Sequence, residues 1–325
     1  MDQTLLLLLI TLVSGLVGLI YGFYAATTGR HGLLRVDYKW AIGVYSGQNP
    51  FNLIPAPGVK NPVLEVRHVR DVKACLIADP FLIRQGNLWH LFFEVVAAAT
   101  RRGSIGLAQS PDGLHWQYQR IVLSEPFHLS YPYLFHWKSS TYLVPETESQ
   151  QSVRLYAAED FPFRWKFVQP LLTGRPFHDP SLFFHQGSWW MLVGIGAKSD
   201  TLCLFQADDL LGPWREHPRS PIVQANPHGA RPGGRVLVVG DRIIRFAQET
   251  CPYYGKGLRA FEIIRLTPQE YQEREIPLPI SDPKKDRGAW NSYGMHHLDI
   301  QPTTEGRWLA CADGQKRVLA PSFWK

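Results

Sequence analysis

The chain has 325 residues and a formal net charge of +6. Hydrophobic residues make up 45%, enough for a sizeable core, so disorder is excluded as a description of the whole. The basic residues are scattered, with no block of five or more, and no nucleic-acid-binding motif is present, which excludes that class of partner. The cysteines Cys75, Cys203, Cys251 and Cys311 form no CxxC pair. Their wide spacing predicts small core residues, not a zinc site or a disulfide framework.

The first element is an uncharged stretch from Thr4 to Ala26, rich in Leu, Ile, Val and Gly. Its 23 residues, at about 1.5 Å each, reach across a hydrocarbon core about 30 Å thick. The leader Met1-Asp2-Gln3 carries no basic side chain and the apolar run is long. Both features predict a retained anchor over a cleaved signal peptide. Arg30, Arg35 and Lys39 flank it downstream, and the positive-inside rule then leans the large domain toward the cytoplasmic side. The expected division is an anchor over 4–26, a linker over 27–37 and one domain over 38–325.

That domain repeats. Five segments align: Ala78-Asp79-Pro80-Phe81, Ser130-Tyr131-Pro132-Tyr133, His178-Asp179-Pro180-Ser181, Ala230-Arg231-Pro232-Gly233 and Met295-His296-His297-Leu298. Their second positions are 52, 48, 52 and 65 residues apart. Each precedes a turn and a β-branched or aromatic run, such as Leu88–Phe93, Thr141–Val144 and Trp189–Val193. Third strands are predicted at Ile105–Ala108, Val153–Tyr156 and Leu202–Phe205. Corners that run from Asp112 to Trp116, Asp160 to Trp165 and Asp209 to Trp214 should open the outermost strands. Four strands per period of about 50 residues describe a propeller blade. The expected fold is therefore all-β, a five-bladed β-propeller preceded by one transmembrane helix. Trp40–Val44 resembles a third strand and is expected to complete the fifth blade. Thr267–Tyr271 is expected to form one helical turn, capped by Thr267.

In a propeller the innermost strands line the axis, so equivalent positions converge there. The second position supplies Asp79, Tyr131, Asp179, Arg231 and one of His296 or His297. Adjacent residues on a strand face opposite ways, so only one of the two histidines should face the channel. Glu94 and Glu146 each lie 15 residues after the second position of their repeat, and Gln248, Glu249 and Asp313 sit near the matching places. Paired carboxylates can cleave or transfer a glycosidic bond, and crowding raises the pKa that an acid needs. Salt bridges and strand caps would use the same residue types. Arg231 and Arg235 could clamp a phosphate or a carboxylate, or form a buried ion pair. No cofactor is expected. One axial histidine with Asp299 could hold a metal such as calcium, although a hydrogen-bonding role is the stronger reading.

The Asp-Pro that opens the first repeat and the Asp-Pro that opens the third resemble the five-bladed arabinanase, xylosidase and fructosidase glycosidases. That resemblance implies a base or nucleophile at Asp79 and a substrate-orienting carboxylate at Asp179. The general acid of those enzymes is a Glu at the position of Arg231, so Glu146 or Glu249 would have to substitute. A closer resemblance rests on Pro126–Pro132, Val144–Thr147, Ala230–Arg235 and Gly294–His297. These stretches resemble the N-terminal propeller domain of plant glucosamine inositolphosphorylceramide transferase and its bacterial single-domain relatives. In the plant proteins an exostosin-like glycosyltransferase domain follows, so the resemblance implies a link to glycans or glycolipids without a transferase mechanism.

Three readings follow. The first is a glycoside hydrolase-like enzyme with Asp79, Asp179 and Glu146 as catalytic residues, and with Tyr131, Arg231, Arg235, His296, His297, Glu94 and Glu249 binding substrate. The second is a non-catalytic module that binds a glycan or glycolipid for a partner glycosyltransferase. The third is a membrane platform, which a charged axis disfavours.

Overall fold

The computed structural model describes residues 2–28, 34–196, 198–280 and 288–321. Helix α1 spans Gln3–Thr28, and its Gln3–Ala25 stretch is long and apolar enough to cross a membrane once. It is a single-pass anchor. Arg30 of the flanking charges lies outside the described residues, as do residues 322–325 of the expected domain.

Five antiparallel sheets make the propeller. Blade one holds Ala74–Gln85, Leu88–Ala97, Gly103–Ser110 and Gln117–Leu123. Blade two holds Ser130–Trp137, Ser140–Glu146, Ser152–Asp160 and Arg164–Thr173. Phe177–His185, Ser188–Ile195, Thr201–Ala207 and Arg215–Glu216 make blade three, and Leu237–Val239, Arg242–Glu249, Gly257–Leu266 and Tyr271–Ile276 make blade four. Blade five is closed by the start of the chain: Leu34–Gly47 lies between Trp308–Pro321 and Ile54–Pro55, in the third place. Closure leaves the ring without an open edge between its first and last blades.

The core sits between blades. Phe92, Leu134, Leu143 and Met191 bind blades one to three, and Trp190, Leu204, Ile243 and Ile263 bind three to four. Phe246, Leu298 and Ala310 bind four to five, while Ile42, Leu91 and Cys311 bind five to one. Truncating one of the larger side chains to Ala costs about 2–5 kcal/mol by the usual cavity penalty. The three expected corners form as tryptophan-locked turns. The indole N–H of Trp116, Trp165 and Trp214 donates to the carbonyl of Gly113, Pro162 and Leu210 at 3.0, 3.1 and 3.1 Å. All four cysteines are free, with Cys203 and Cys311 buried.

Two elements differ from expectation. Thr267 accepts the amide hydrogens of Gln269 and Glu270, as a cap would, but no helical turn follows because Tyr271 enters the outer strand of blade four. The segment Ala230–Arg235 meets the second strand of blade four only at an isolated bridge between Pro232 and Ala247, and the continuous ladder of blade four starts at Leu237. Pro232 has no N–H to give, and Gly234 turns its backbone to φ +138.

Candidate functional site

The inner strands of blades one to three share one irregularity. The ladder loses register between Ala78 and Phe81, Ser130 and Tyr133, and His178 and Ser181. The residue before each Pro is left-handed: Asp79 at φ +52, Tyr131 at +45 and Asp179 at +50. Such a backbone costs a non-glycine residue roughly 1–2 kcal/mol. A bulge of this kind re-aims its side chain, here toward the axis.

Carboxylates hold these bulges in place across blades. The Asp79 amide donates to Asp313 Oδ2 of blade five at 3.2 Å, and the Tyr131 amide to Asp79 Oδ2 at 3.2 Å. The Asp179 amide donates to Glu146 Oε2 of blade two, again at 3.2 Å. Arg231 bridges two of these acids. Its Nε lies 2.6 Å from Asp179 Oδ2 and its Nη2 lies 3.1 Å from Glu146 Oε2. Gln248 donates to Asp179 Oδ2 at 2.7 Å.

The acids differ in proton affinity. Burial would raise Asp179, but the Arg231 guanidinium and the surrounding hydrogen bonds outweigh it and hold the carboxyl below its ordinary value. Burial drives Asp79 well above the ordinary range. His296 opposes this, and the charges of Glu94, Asp179 and Asp313 reinforce it. Asp79 Oδ1 has no hydrogen-bond partner among the described residues. Glu146 is also pushed well up, by burial and then by Asp179, against the pull of Arg231. Burial disfavours charge on His296, yet Asp313 at 2.6 Å and Asp79 lift it to about 9. His297, fully buried, is lowered to about 4 by desolvation.

Asp79, Glu146, Asp179, Arg231 and His296 therefore meet, and Glu94 lies near enough for its charge to act on Asp79 while it contacts His128 at 3.0 Å. Both histidines approach Asp79: each Nδ1 lies 3.9 Å from Asp79 Oδ1. The expectation that one faces away fails because the strand starts only at Leu298, so strand alternation does not govern positions 296 and 297. Three expected residues lie elsewhere. The Tyr131 ring is fully buried, with its hydroxyl bonded to Ser181 and to both backbone polar atoms of Gly234. Arg235 pairs with Asp299 at 2.7 Å, further along the inner strands. Glu249 pairs with Lys256 at 2.7 Å and His228 at 3.2 Å.

Gln248 and Asp313, expected near the matching places, are in the site, although they follow their repeat positions by 17 residues where Glu94 and Glu146 follow by 15. Two aromatics were not expected there. Trp40 stacks on His296 with centroids 4.4 Å apart. Tyr254, 49% exposed, lies over Arg231 at 5.4 Å and edge-on to His296 at 5.1 Å. Both aromatics come from outside the inner strands, where the repeat carries no signal.

Two clusters bring together groups that could ligate a cation: Asp79, His296 and Asp313, and Glu146, Glu148 and His178. The first does not suit calcium, which takes six to eight oxygens. One of its three donors is an imidazole, and the 2.6 Å gap between His296 and Asp313 has room for a proton and not for a metal ion.

A family model described as "Glucosamine inositolphosphorylceramide transferase 1, N-terminal" matches residues 35–315. The chain belongs to this family. The glucosamine inositolphosphorylceramide transferase 1 of Oryza sativa subsp. japonica is 36% identical over 300 residues, which cover 86% of this chain and 40% of the relative. The Arabidopsis thaliana protein of the same name is 33% identical over 306 residues, covering 88% and 40%. The chain thus spans about two fifths of the length of these curated relatives. Among solved structures, the catalytic domain of an α-L-arabinofuranosidase from Coprinopsis cinerea superposes with a TM-score of 0.56 at 9% identity, covering 84% of this chain and 97% of that one. An α-L-arabinanase from Cellvibrio cellulosa gives a TM-score of 0.53 at 19% identity, covering 78% and 94%. At these identities the family's propeller shares a fold with them.

Proposed function

We propose that this membrane-anchored propeller is a carbohydrate-active enzyme that cleaves or transfers a sugar on a glycan or glycolipid. The observation that carries the reading is the contrast between two buried axial acids. Asp79 is held toward its protonated form with one oxygen unengaged, while Asp179 is held ionised by Arg231 and Gln248. A glycosidic bond needs both: a proton for the leaving oxygen and a fixed negative charge facing the cation-like ring. In this reading Asp79 gives the proton, Asp179 stabilises the developing charge, and Glu146 is the second carboxylate at the reacting bond. Arg231, His296, His297 and Glu94 line the substrate. The proton-donor role for Asp79 departs from the base or nucleophile that the glycosidase resemblance implies. The curated relatives are named for glucosamine and inositolphosphorylceramide, which supports a glycolipid as the substrate class. The reading includes the division into anchor 4–26, linker 27–37 and propeller 38–325, with the propeller on the cytoplasmic side.

The test uses the full chain in detergent micelles, incubated with the host's total polar lipids, while glycolipid masses are followed. Loss or gain of a sugar mass with wild type, absent with Asp79→Asn, supports the enzyme. A second reading is favoured by Arg231, which fills the place of a glycosidase acid and is already engaged by Asp179 and Glu146. The propeller would then bind a glycan or glycolipid for a partner glycosyltransferase. No mass change, together with saturable retention of a glycolipid, selects that reading.

A further inference from the structure

Beside the axial acids, His178 is only 4% exposed, and neither ring nitrogen has a hydrogen-bond partner among the described residues. An unpaired buried polar group of this kind is costly and calls for an explanation. Its Nδ1 faces two carboxylates at distances too long for hydrogen bonds: Glu146 Oε2 at 3.8 Å and Glu148 Oε2 at 3.7 Å. Two ligands held about 2.1 Å from one ion can lie up to roughly 4.2 Å apart, so an ion can sit between His178 and either carboxylate, and the three ligand atoms all lie within 4.8 Å of one another.

The surrounding charges point the same way. Glu146, Glu148 and Asp179 bring three carboxylates to this corner, and Arg231 supplies one positive charge against them. The supports of a metal site are also in place. The Asp179 amide and Arg231 fix the orientation of Glu146, as outer-shell donors do for a ligating carboxylate. Glu148 starts a short 3₁₀ turn over Glu148–Gln150. The loop is pinned by the Thr147 hydroxyl, which donates to the Ser152 carbonyl at 2.6 Å. The Glu148 side chain is 47% exposed and gives the ion a way in from solvent.

We infer that Glu146, Glu148 and His178 bind one divalent transition-metal ion of the manganese, iron or zinc class. An imidazole with two carboxylates suits these ions better than calcium or magnesium, which prefer oxygen alone. The site adjoins Asp179 and Arg231 through Glu146, so the ion would add a Lewis-acidic point beside any hydroxyl or phosphate oxygen bound there. The inference stands independently of whether the axial site turns over a sugar.

The experiment is equilibrium dialysis of the chelator-stripped full-length protein in detergent against Mn²⁺ alone and Zn²⁺ alone. One equivalent is expected to bind wild type. Glu148→Gln and His178→Ala should each weaken it by about 100-fold, given that even outer-shell losses cost 10–100-fold. His296→Gln, in the other axial cluster, should retain it. Glu148 is half-exposed, so its variant keeps the test decisive if His178→Ala fails to fold. Absence of saturable binding to wild type would overturn the inference. So would binding that survives Glu148→Gln unchanged, or binding lost only with His296→Gln.

Discussion

The sequence Ala230-Arg231-Pro232-Gly233-Gly234-Arg235 sends two arginines to two levels of the same axis, and the two levels differ in one respect. At the lower level Arg235 bonds Asp299, the Leu134 carbonyl at 2.6 Å and the Leu82 carbonyl at 3.3 Å, with its guanidinium over Phe81 and Tyr133. Asp299 in turn accepts the Leu82 amide at 2.6 Å. At the upper level Arg231 also pairs with an aspartate, but it is surrounded by polar atoms without partners among the described residues: Asp79 Oδ1, Gln248 Oε1 and the ring nitrogens of His178 and His297. A buried polar group left unpaired is destabilising and persists where function retains it. Residue type alone does not tell a clamp from a site. The accounting of hydrogen bonds does.

The largest effect that could break this comparison is on stability. Arg235→Met leaves Asp299 buried and unpaired, and should cost about 3–5 kcal/mol in urea unfolding. Arg231→Met should cost less, because Glu146 can take up a proton. If Arg231→Met proved the more destabilising, the assignment of clamp and site would be reversed. Next in size, Asp79→Asn should reduce turnover by roughly 10²–10⁴-fold, the range of a general acid. Its unfolding midpoint should stay close to wild type, since the carboxyl it replaces is already held toward the neutral form.

A third prediction concerns pH. His297 has a folded pKa of about 4 against 6.5 unfolded, so its contribution is present above pH 6.5 and is lost as pH falls toward 4. The loss should approach ~3 kcal/mol, and His297→Phe should flatten that slope in urea midpoints taken between pH 7 and 4. His296 has the opposite sign. Its folded pKa of about 9 makes its contribution complete below 6.5 and lost as pH rises through 9. The smallest effect is expected for Glu249→Gln, which should leave turnover unchanged and cost under about 1 kcal/mol, because its partners lie away from the axial acids. A large loss of activity there would extend the site outward.

The propeller and much of the axis could be read from the sequence because both rest on periodicity. The X-Pro pairs at Asp79, Tyr131 and Asp179 mark bulges, and the 15-residue step finds Glu94 and Glu146. Where the period breaks, the reading fails. The glycine-rich bend of blade four makes the step 17 residues, so the period places Gln248, and Asp313 in blade five, only approximately. Tyr131 and Arg235 have the right position but are consumed by internal bonding, which depends on blades far away in the chain. Tyr254 and Trp40 reach the site from outside the inner strands. Gly234 shows how such long-range fit constrains a single residue. A Cβ there would collide with the Leu298 carbonyl oxygen, and its backbone is committed to the Tyr131 hydroxyl.

The third place in blade five has a consequence for biosynthesis. Leu34–Gly47 is the first strand to be made, and its partner Trp308–Pro321 is the last, with about 260 residues between them. At translation rates of about 5–20 residues per second, the early strand waits roughly 10–50 s for its neighbour. Throughout that interval its edge toward that partner is unpaired and open to mispairing with other nascent chains. Ring closure therefore waits for the far end of the propeller to be made, and until then that edge is where mispairing can begin.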